Sequence, residues 1–197
     1  TSKIRKDQHI PQKGLKNILI QAGRGYGKTV AAAGKMRALV DYGYTQLAFV
    51  GSKNNALVRE MVPTFLGMFP DEYKPVWNKT EKQIFLPNGG TVFLYTSEEE
   101  VRGASIGAVW MDELCNFCSG IQSQVYEFYR IANLAFRGKQ HIPEGHHKVK
   151  IFTSTPKHWK IFWDMNKWCY DPENTFWQIK EGSGFDNPEL SEDMQEW

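Results

Sequence analysis

The chain has 197 residues, and its 24 lysines and arginines nearly balance its 22 aspartates and glutamates, giving a formal net charge of +2. This balance excludes a polybasic tail protein, and 41% hydrophobic with 23% charged residues excludes the disordered, collagen-like and coiled-coil classes. The length predicts one domain with one sizeable core. No apolar run approaches the ~20 residues that cross a bilayer, so we predict no membrane span. Three cysteines cannot complete a disulfide framework, which favours a reducing, cytoplasmic setting.

The order of apolar and polar segments predicts alternating strands and helices. Residues 1–16 are polar, basic and interrupted by Pro11, so we interpret them as an approach segment and residues 17–197 as the folded domain. Strands are predicted at 18–20, 46–50, 108–111, 150–153 and 176–179, a hairpin at 82–96 around Asn88-Gly89, and helices at 30–43, 54–66 with an interruption near Pro63, 122–136 and 159–168. This alternation favours a three-layer α/β sandwich around a mostly parallel sheet.

Residues 22–29 spell AGRGYGKT between a predicted strand and a predicted helix, which fits the phosphate-loop pattern with alanine at its first position. Its three glycines let successive N–H groups point at phosphate oxygens. Lys28 is then placed to reach the β- and γ-phosphates of ATP, and the hydroxyl of Thr29 to hold Mg²⁺. The dinucleotide fingerprint G-x-G-x-x-G fails because Lys28 stands at its third glycine. The predicted nucleotide-binding residues are Gly23, Arg24, Gly25, Tyr26, Gly27, Lys28 and Thr29.

Two acidic residues follow the apolar strand predicted at 108–111. Asp112 and Glu113 would lie at the carboxyl end of that strand, beside the phosphate loop, where ligands bind in open α/β sheets. There Asp112 can hold the hydration shell of Mg²⁺, and Glu113 can orient an attacking water or accept its proton. The alternative is an exposed strand end with two solvated acids.

Small hydroxyl residues follow another predicted strand, at Thr153-Ser154-Thr155-Pro156. Their hydroxyls suit the sensing of a γ-phosphate or of a positioned water. They equally suit a cap on the helix that follows Pro156, which is a common role of Ser and Thr. The sequence leaves both interpretations open.

Nearly the whole chain resembles one protein family in the order and spacing of its motifs. The motifs are GRGYGKT at 23–29, Val101-Arg102-Gly103, AVWMDE at 108–113, TSTP at 153–156, and Asp186-Asn187-Pro188 with Leu190. Over roughly residues 15–192 they resemble the ATPase domain in the large terminase subunit of tailed bacteriophages. The resemblance implies a P-loop NTPase sandwich of the ASCE/RecA-like type. It also implies a motor that hydrolyses ATP to drive double-stranded DNA into a procapsid.

The resemblance implies partners as well: a homo-oligomeric ring, a pentamer, on the portal protein, together with the small terminase subunit. The place of action would be the host cytoplasm, at the procapsid portal, with ATP and Mg²⁺ required. A helicase or translocase core and a nucleotide-binding ring scaffold without turnover are the alternatives. Leu114 and Cys115 depart from the helicase pattern after the acidic pair, and Glu113 argues against the scaffold. The family's nuclease half has no counterpart in these residues, so we expect no DNA cleavage from them.

Residue roles follow from the same resemblance. It assigns catalysis to Lys28 and Glu113, metal binding to Thr29 and Asp112, and the coupling of hydrolysis to movement to Ser154 and Thr155. Arg102 would act on a neighbouring subunit's nucleotide, or else pair with the acidic run at 98–100. Arg24 is a second candidate for γ-phosphate sensing or a subunit contact. Gln8 and Gln12 both lie where related ATPases place an adenine-contacting glutamine; either could serve, and Gln12 is our candidate. Tyr26 replaces the family's usual small residue, which predicts altered loop packing or nucleotide affinity.

Cys115 and Cys118 form a lone C-x-x-C directly after the acidic pair. A zinc site needs a second pair at suitable spacing, and Cys169 with His146 and His147 gives only a scattered set. We therefore interpret the cysteines as structural thiols.

Overall fold

Eight strands form the middle layer of the computed structural model, which describes residues 5–8, 16–96, 105–116, 122–135, 141–183 and 186. The strands are β1 (Asn17–Ala22), β2 (Gln46–Gly51), β3 (Val76–Asn78), β4 (Gln83–Phe85), β5 (Thr91–Thr96), β6 (Ala108–Asp112), β7 (Val149–Ser154) and β8 (Trp177–Gly182). Their order across the sheet is β3-β4-β5-β2-β6-β7-β1-β8. Neighbours from β5 to β8 pair in parallel, and β3 and β4 form an antiparallel edge.

Helices lie on both faces of this sheet. They are α1 (Lys28–Asp41), α2 (Asn54–Ala56), α3 (Val62–Leu66), α4 (Gln122–Ala135) and α5 (Lys160–Tyr170), with short 3-10 turns at Lys6–Gln8 and Asp71–Tyr73. Ile18 and Ile20 pack into one apolar core with α1 and α3, whereas Leu19 packs into a second core with α5. The two cores on opposite faces confirm the predicted three-layer α/β sandwich with its mostly parallel sheet.

Burial explains why the central strands appear in the sequence as apolar runs. Every residue of β6 is buried, and so is all of β2 after its first residue, because helices cover both faces of the sheet. In β5, by contrast, buried and half-buried positions alternate, as expected nearer the edge. Phe49 of β2 and Trp110 of β6 meet edge to face, with ring centroids 5.1 Å apart, in the first core.

Two local features differ from the sequence predictions. Residues 54–66 are helical as predicted, but the irregularity is a π-helical turn at Leu57–Met61 that precedes Pro63. Pro63 has no N–H to donate to the preceding turn, so the chain is wider there than in a regular α-helix. Strand β3 was not predicted, because three residues with a half-exposed pattern give no periodic signal. The hairpin of β4 and β5 is confirmed, with Gly89 at φ +80° in its turn.

Strand order brings three loops together at the carboxyl ends of the parallel strands. Strand β7 lies between β1, which precedes the phosphate-loop motif, and β6, which precedes Asp112 and Glu113. The hydroxyl motif at the end of β7 therefore separates the two other motifs. Among the helices that the structure describes, none has the length and apolar character needed to span a membrane.

Candidate nucleotide-binding site

The loop between β1 and α1 ends in a glycine that only a residue without a side chain can replace. Gly27 has φ +91° and is the N-cap of α1, and its carbonyl accepts the first helical hydrogen bond, from the N–H of Ala31, at 3.0 Å. The N–H groups of the first turn then have no acceptor within the helix. Together with the helix dipole they form a site for an anion such as a phosphate.

Lys28, the first residue of α1, turns its side chain back along the loop. Its ammonium donates to the carbonyls of Ala22 at 3.0 Å and Gly23 at 3.2 Å. It also donates to the hydroxyl of Thr155 at 3.3 Å and lies 3.4 Å from Oε1 of Glu113. With only 8% of its side chain exposed, this charge is held between the loop and the acidic strand.

Glu113 directly follows β6 and has a left-handed backbone conformation, with φ +48°. For a residue with a side chain this costs about 1–2 kcal/mol, and such strain is common at functional sites. Its carboxylate accepts hydrogen bonds from the N–H of Thr155 to Oε2 and from the Thr155 hydroxyl to Oε1, each at 3.2 Å. The carboxylate therefore lies against the residue that also contacts Lys28.

Thr153 connects the end of β7 to the end of β6 through one fully buried hydroxyl. Its Oγ1 accepts from the N–H of Glu113 at 3.2 Å and from the indole N–H of Trp110 at 3.5 Å. The same hydroxyl donates to Oδ1 of Asp112 in a short hydrogen bond. One side chain thus fixes both acidic residues of the neighbouring strand.

Asp112 is the last residue of β6 and is 4% exposed. Burial raises the pKa of its carboxyl to about 6, and the nearby charges of Glu113 and Glu60 raise it further. The hydrogen bond from Thr153 and the charge of Lys28 oppose this rise in pKa. A buried carboxylate whose ionised form is disfavoured fits a divalent cation, and Mg²⁺ prefers carboxylate, hydroxyl and water oxygens in this number.

Tyr26 is buried although it lies within the phosphate loop. Its ring packs on Gly182 of β8, where a Cβ would overlap the ring atoms, and the N–H of Gly23 donates to the carbonyl of Gly182 at 3.2 Å. The bulky side chain is thus placed against the edge strand. This packing is how the loop accommodates an aromatic residue at that position.

The N-terminal segment at 5–8 contacts the loop from the other side. The side-chain amide of Gln8 donates to the carbonyl of Tyr26 at 2.8 Å, and a guanidinium N–H of Arg5 donates to the same carbonyl at 2.9 Å. Gln8 is 3% exposed. Sequence reasoning considered Gln8 only as a contact of adenine and missed Arg5, because neither residue belongs to a motif.

The structure brings together Lys28, Asp112, Glu113 and Thr155 from the predicted site. Ser154 is fully buried, and its hydroxyl donates to the carbonyl of Thr155 at 3.1 Å. Thr29 is half-buried in the first turn of α1, and Arg24 is exposed. Predicted residues Gln12 and Arg102, and the motif residues 101, 103, 187, 188 and 190, lie outside the described residues.

Cys115 packs in the second core, with its thiol 3.8 Å from Oε2 of Glu113. Its predicted companion Cys118 lies outside the described residues. Within the described part of the chain, no three His, Cys, Asp or Glu side chains gather into a metal-binding group.

The sequence matches the family model described as "Terminase large subunit, T4likevirus-type, N-terminal" over residues 19–179. This chain belongs to that terminase family. The matched range begins in β1 and ends in β8, so it includes the loop, the acidic strand and the hydroxyl motif of this terminase domain. A sequence search of curated proteins gives no match.

Solved structures of phage packaging proteins share the fold of this terminase domain. The large terminase of a thermophilic bacteriophage matches in complexes with ADP and with ATP-γ-S, at TM-scores of 0.68 and 0.65 and identities of 16% and 18%, covering 98% and 97% of this chain and 49% and 47% of theirs. The large terminase ATPase domain of Thermus phage P74-26 matches at 0.58 and 14%, covering 92% and 81%. The N-terminal domain of the DNA packaging ATPase of bacteriophage phi29 matches at 0.54 and 13%, covering 90% and 94%. At these identities the likeness shows the P-loop NTPase fold alone, and the chain spans about half the length of the thermophilic phage protein.

Proposed function

We propose that this terminase domain hydrolyses ATP and that hydrolysis drives double-stranded DNA into a procapsid. The observation that carries the proposal is the contact between Lys28 and Glu113, 3.4 Å apart, at the end of a loop built for phosphate. A cation for the terminal phosphates and a carboxylate for the attacking water are the two protein groups that phosphoryl transfer to water requires. Family membership and the ADP and ATP-γ-S complexes of the thermophilic phage protein support the choice of nucleotide.

Each residue of the site has a role in this proposal. The N–H groups at the start of α1 and the ammonium of Lys28 bind the phosphates, which draws Lys28 away from the carbonyls of Ala22 and Gly23. Thr29 and Asp112 would hold Mg²⁺, which neutralises charge that develops on the phosphate oxygens. Glu113 orients the water and accepts its proton.

Thr155 is the residue through which hydrolysis would be coupled to movement. It contacts the ammonium of Lys28 and the carboxylate of Glu113 at the same time, so a change at either group alters the contacts of the other. Ser154 bonds to the carbonyl of Thr155 and thereby follows it. The hydroxyl motif is accordingly proposed to transmit the state of the nucleotide to strand β7.

We further propose a ring of identical subunits, a pentamer, on the portal protein at the procapsid in the host cytoplasm, with the small terminase subunit as partner. In that ring Arg102, and as a second candidate Arg24, would act at a nucleotide. Gln12 stays a candidate for nucleotide contact. These assignments rest on membership of the terminase family and on the resemblance of the motifs.

The replacement Glu113→Gln tests the central claim. It keeps the size of the side chain and removes its basicity, so we expect unchanged or tighter ATP binding with kcat lowered by at least ~10²-fold. The matched control is Glu173→Gln, on an exposed carboxylate, which should leave both quantities unchanged. Equal turnover by wild type and Glu113→Gln would overturn the assignment of the base. Nucleotide binding without turnover in the wild type, alone and with DNA, would indicate the scaffold instead.

A further inference from the structure

Residues 5–8 form a short turn that closes over the phosphate loop. The N–H of Gln8 donates to the carbonyl of Arg5 at 3.0 Å, and the N–H of Arg5 donates to Oε1 of Gln8 at 3.1 Å. These two hydrogen bonds fix the turn internally. They also leave the amide nitrogen of Gln8 directed at the loop.

Both ends of the Gln8 amide are bonded to the protein. Its Oε1 accepts from Arg5, while its Nε2 donates to the carbonyl of Tyr26 at 2.8 Å and lies 3.5 Å from the carbonyl of Gly27. The approach is so close that a Cβ at Gly27 would overlap Nε2. An amide with its oxygen and its nitrogen both used in this way is poorly suited to read the edge of a base.

The carbonyl of Tyr26 accepts two donors, Nε2 of Gln8 and Nη2 of Arg5, which match its two lone pairs. On the other side the ring of Tyr26 packs on Gly182, and the guanidinium of Arg5 lies 5.5 Å from the ring centroid. The orientation of the peptide between Tyr26 and Gly27 is therefore fixed from both sides.

Peptide geometry connects this restraint to phosphate binding. The carbonyl of Tyr26 and the N–H of Gly27 belong to one planar trans peptide and point in opposite directions. A carbonyl held towards residues 5–8 directs that N–H away from them, towards the space in which a phosphate binds. The flipped peptide would present a carbonyl oxygen to the phosphate, which repels it.

We propose that Gln8, together with Arg5, is a positioning residue that holds this peptide with its N–H towards the phosphates, and that Gln8 does not recognise adenine. The inference rests on the proposed function in so far as the ligand is a nucleotide. Because linkage is reciprocal, phosphate binding and the docking of residues 5–8 stabilise each other.

The test compares ligands that share the phosphate chain and differ in the base. Binding of ATP, GTP and inorganic tripolyphosphate, each with Mg²⁺, is measured by calorimetry on the full 197-residue chain and on Gln8→Met, which keeps the length of the side chain and loses its donor. We expect the affinity for all three ligands to fall by the same factor, about tenfold, as for a lost hydrogen bond to a buried group. The control Lys6→Met, on the exposed neighbour in the same turn, should change none of them.

A second variant, Gln8→Glu, guards against a simple loss of folding. It places a carboxylate oxygen against the carbonyl of Tyr26, so its loss of affinity should exceed that of Gln8→Met, with the cooperative unfolding transition retained. In steady-state turnover both variants should raise KM and leave kcat within about twofold, because Glu113 is untouched.

A loss of affinity confined to ATP would show that Gln8 reads adenine and would overturn the inference, as would unchanged affinity for all three ligands. A wild type that binds all three ligands but never hydrolyses ATP would contradict the proposed function and leave this comparison readable. The two proposals can therefore fail separately.

Discussion

Thr153 determines the geometry of both acidic residues although it has no acidic or basic group of its own. Its hydroxyl contacts Asp112, the N–H of Glu113 and the indole of Trp110, all on the neighbouring strand. Because the hydroxyl is fully buried, water cannot replace it in these bonds. The position of the proposed base thus depends on a residue some forty positions away in the sequence.

We expect Thr153→Val to lower kcat about tenfold or more, since it keeps the shape of the side chain and releases Glu113 from its position. Leaving the N–H of Glu113 and the carboxyl of Asp112 without this partner should also reduce the free energy of unfolding by about 1–3 kcal/mol. Turnover and denaturant unfolding measure the two effects. Thr153→Ser keeps the hydroxyl and serves as the control; equal turnover in the valine and serine variants would contradict a positioning role.

Residue chemistry and residue contacts differed in how far the sequence predicted them. Lys28, Asp112 and Glu113 were predicted because phosphate and Mg²⁺ chemistry require those side chains at loop and strand ends. The contacts of Thr153 and Gln8 were not, because they depend on which segments become neighbours after folding. Gln8 reaches the loop across 18 residues and Thr153 reaches Glu113 across 40, and no local pattern encodes either distance.

At the scale of elements, helix α1 has a lysine on its buried face. Lys35 is 5% exposed, and burial lowers its pKa from 10.5 to about 8. The helix follows the predicted range well, since its alanines give a strong helical pattern. The sequence gave no reason to place a charged residue inward, because lysine at that position also fits an exposed face.

Lys35→Met should stabilise the protein at pH 7 by about 1–3 kcal/mol, because it removes the cost of burying a charge. Between pH 8 and 10.5 the native state has released the lysine proton and the unfolded state still binds it, so wild-type stability gains with rising pH. The advantage of the variant should therefore shrink over this range and vanish above it. Denaturant unfolding at several pH values measures the difference, with Lys79→Met, on an exposed turn, as the control. A constant advantage would mean that the methionine only packs better.

The elements themselves were largely predictable, and their arrangement less so. Apolar runs predicted β1, β2, β6 and β7 because strands buried on both faces need them. The three residues of β3 and the π-helical turn at Leu57–Met61 were missed, since they result from sheet pairing and from Pro63 rather than from periodicity. The position of β7 between β1 and β6 became clear only from the pairing register.

At the scale of the whole molecule, the proposed ring predicts that activity depends on assembly. If Arg102 acts on a neighbour's nucleotide, ATP turnover per subunit should rise with protein concentration across the range in which subunits associate. Arg102→Ala should abolish this rise and leave the low basal rate unchanged.

The control for Arg102 is Arg59→Ala, which removes an exposed arginine from the π-helical turn. It should reproduce the concentration dependence of the wild type. Turnover per subunit that stays constant from dilute monomer to assembled ring, as measured with sedimentation in parallel, would exclude a catalytic arginine supplied by a neighbour.

The pairing of β1 also has a consequence for the biosynthesis of the protein. Strand β1 is made early, yet both of its sheet partners, β7 and β8, come from residues 149–182. While the ribosome is still translating the middle of the chain, the glycine-rich loop therefore has no sheet beside it and Tyr26 has no Gly182 to pack on. Contacts of such long sequence separation form late and slowly. The nascent chain accordingly acquires its phosphate cradle only after the last strand has left the ribosome, and nucleotide binding marks a completed sheet.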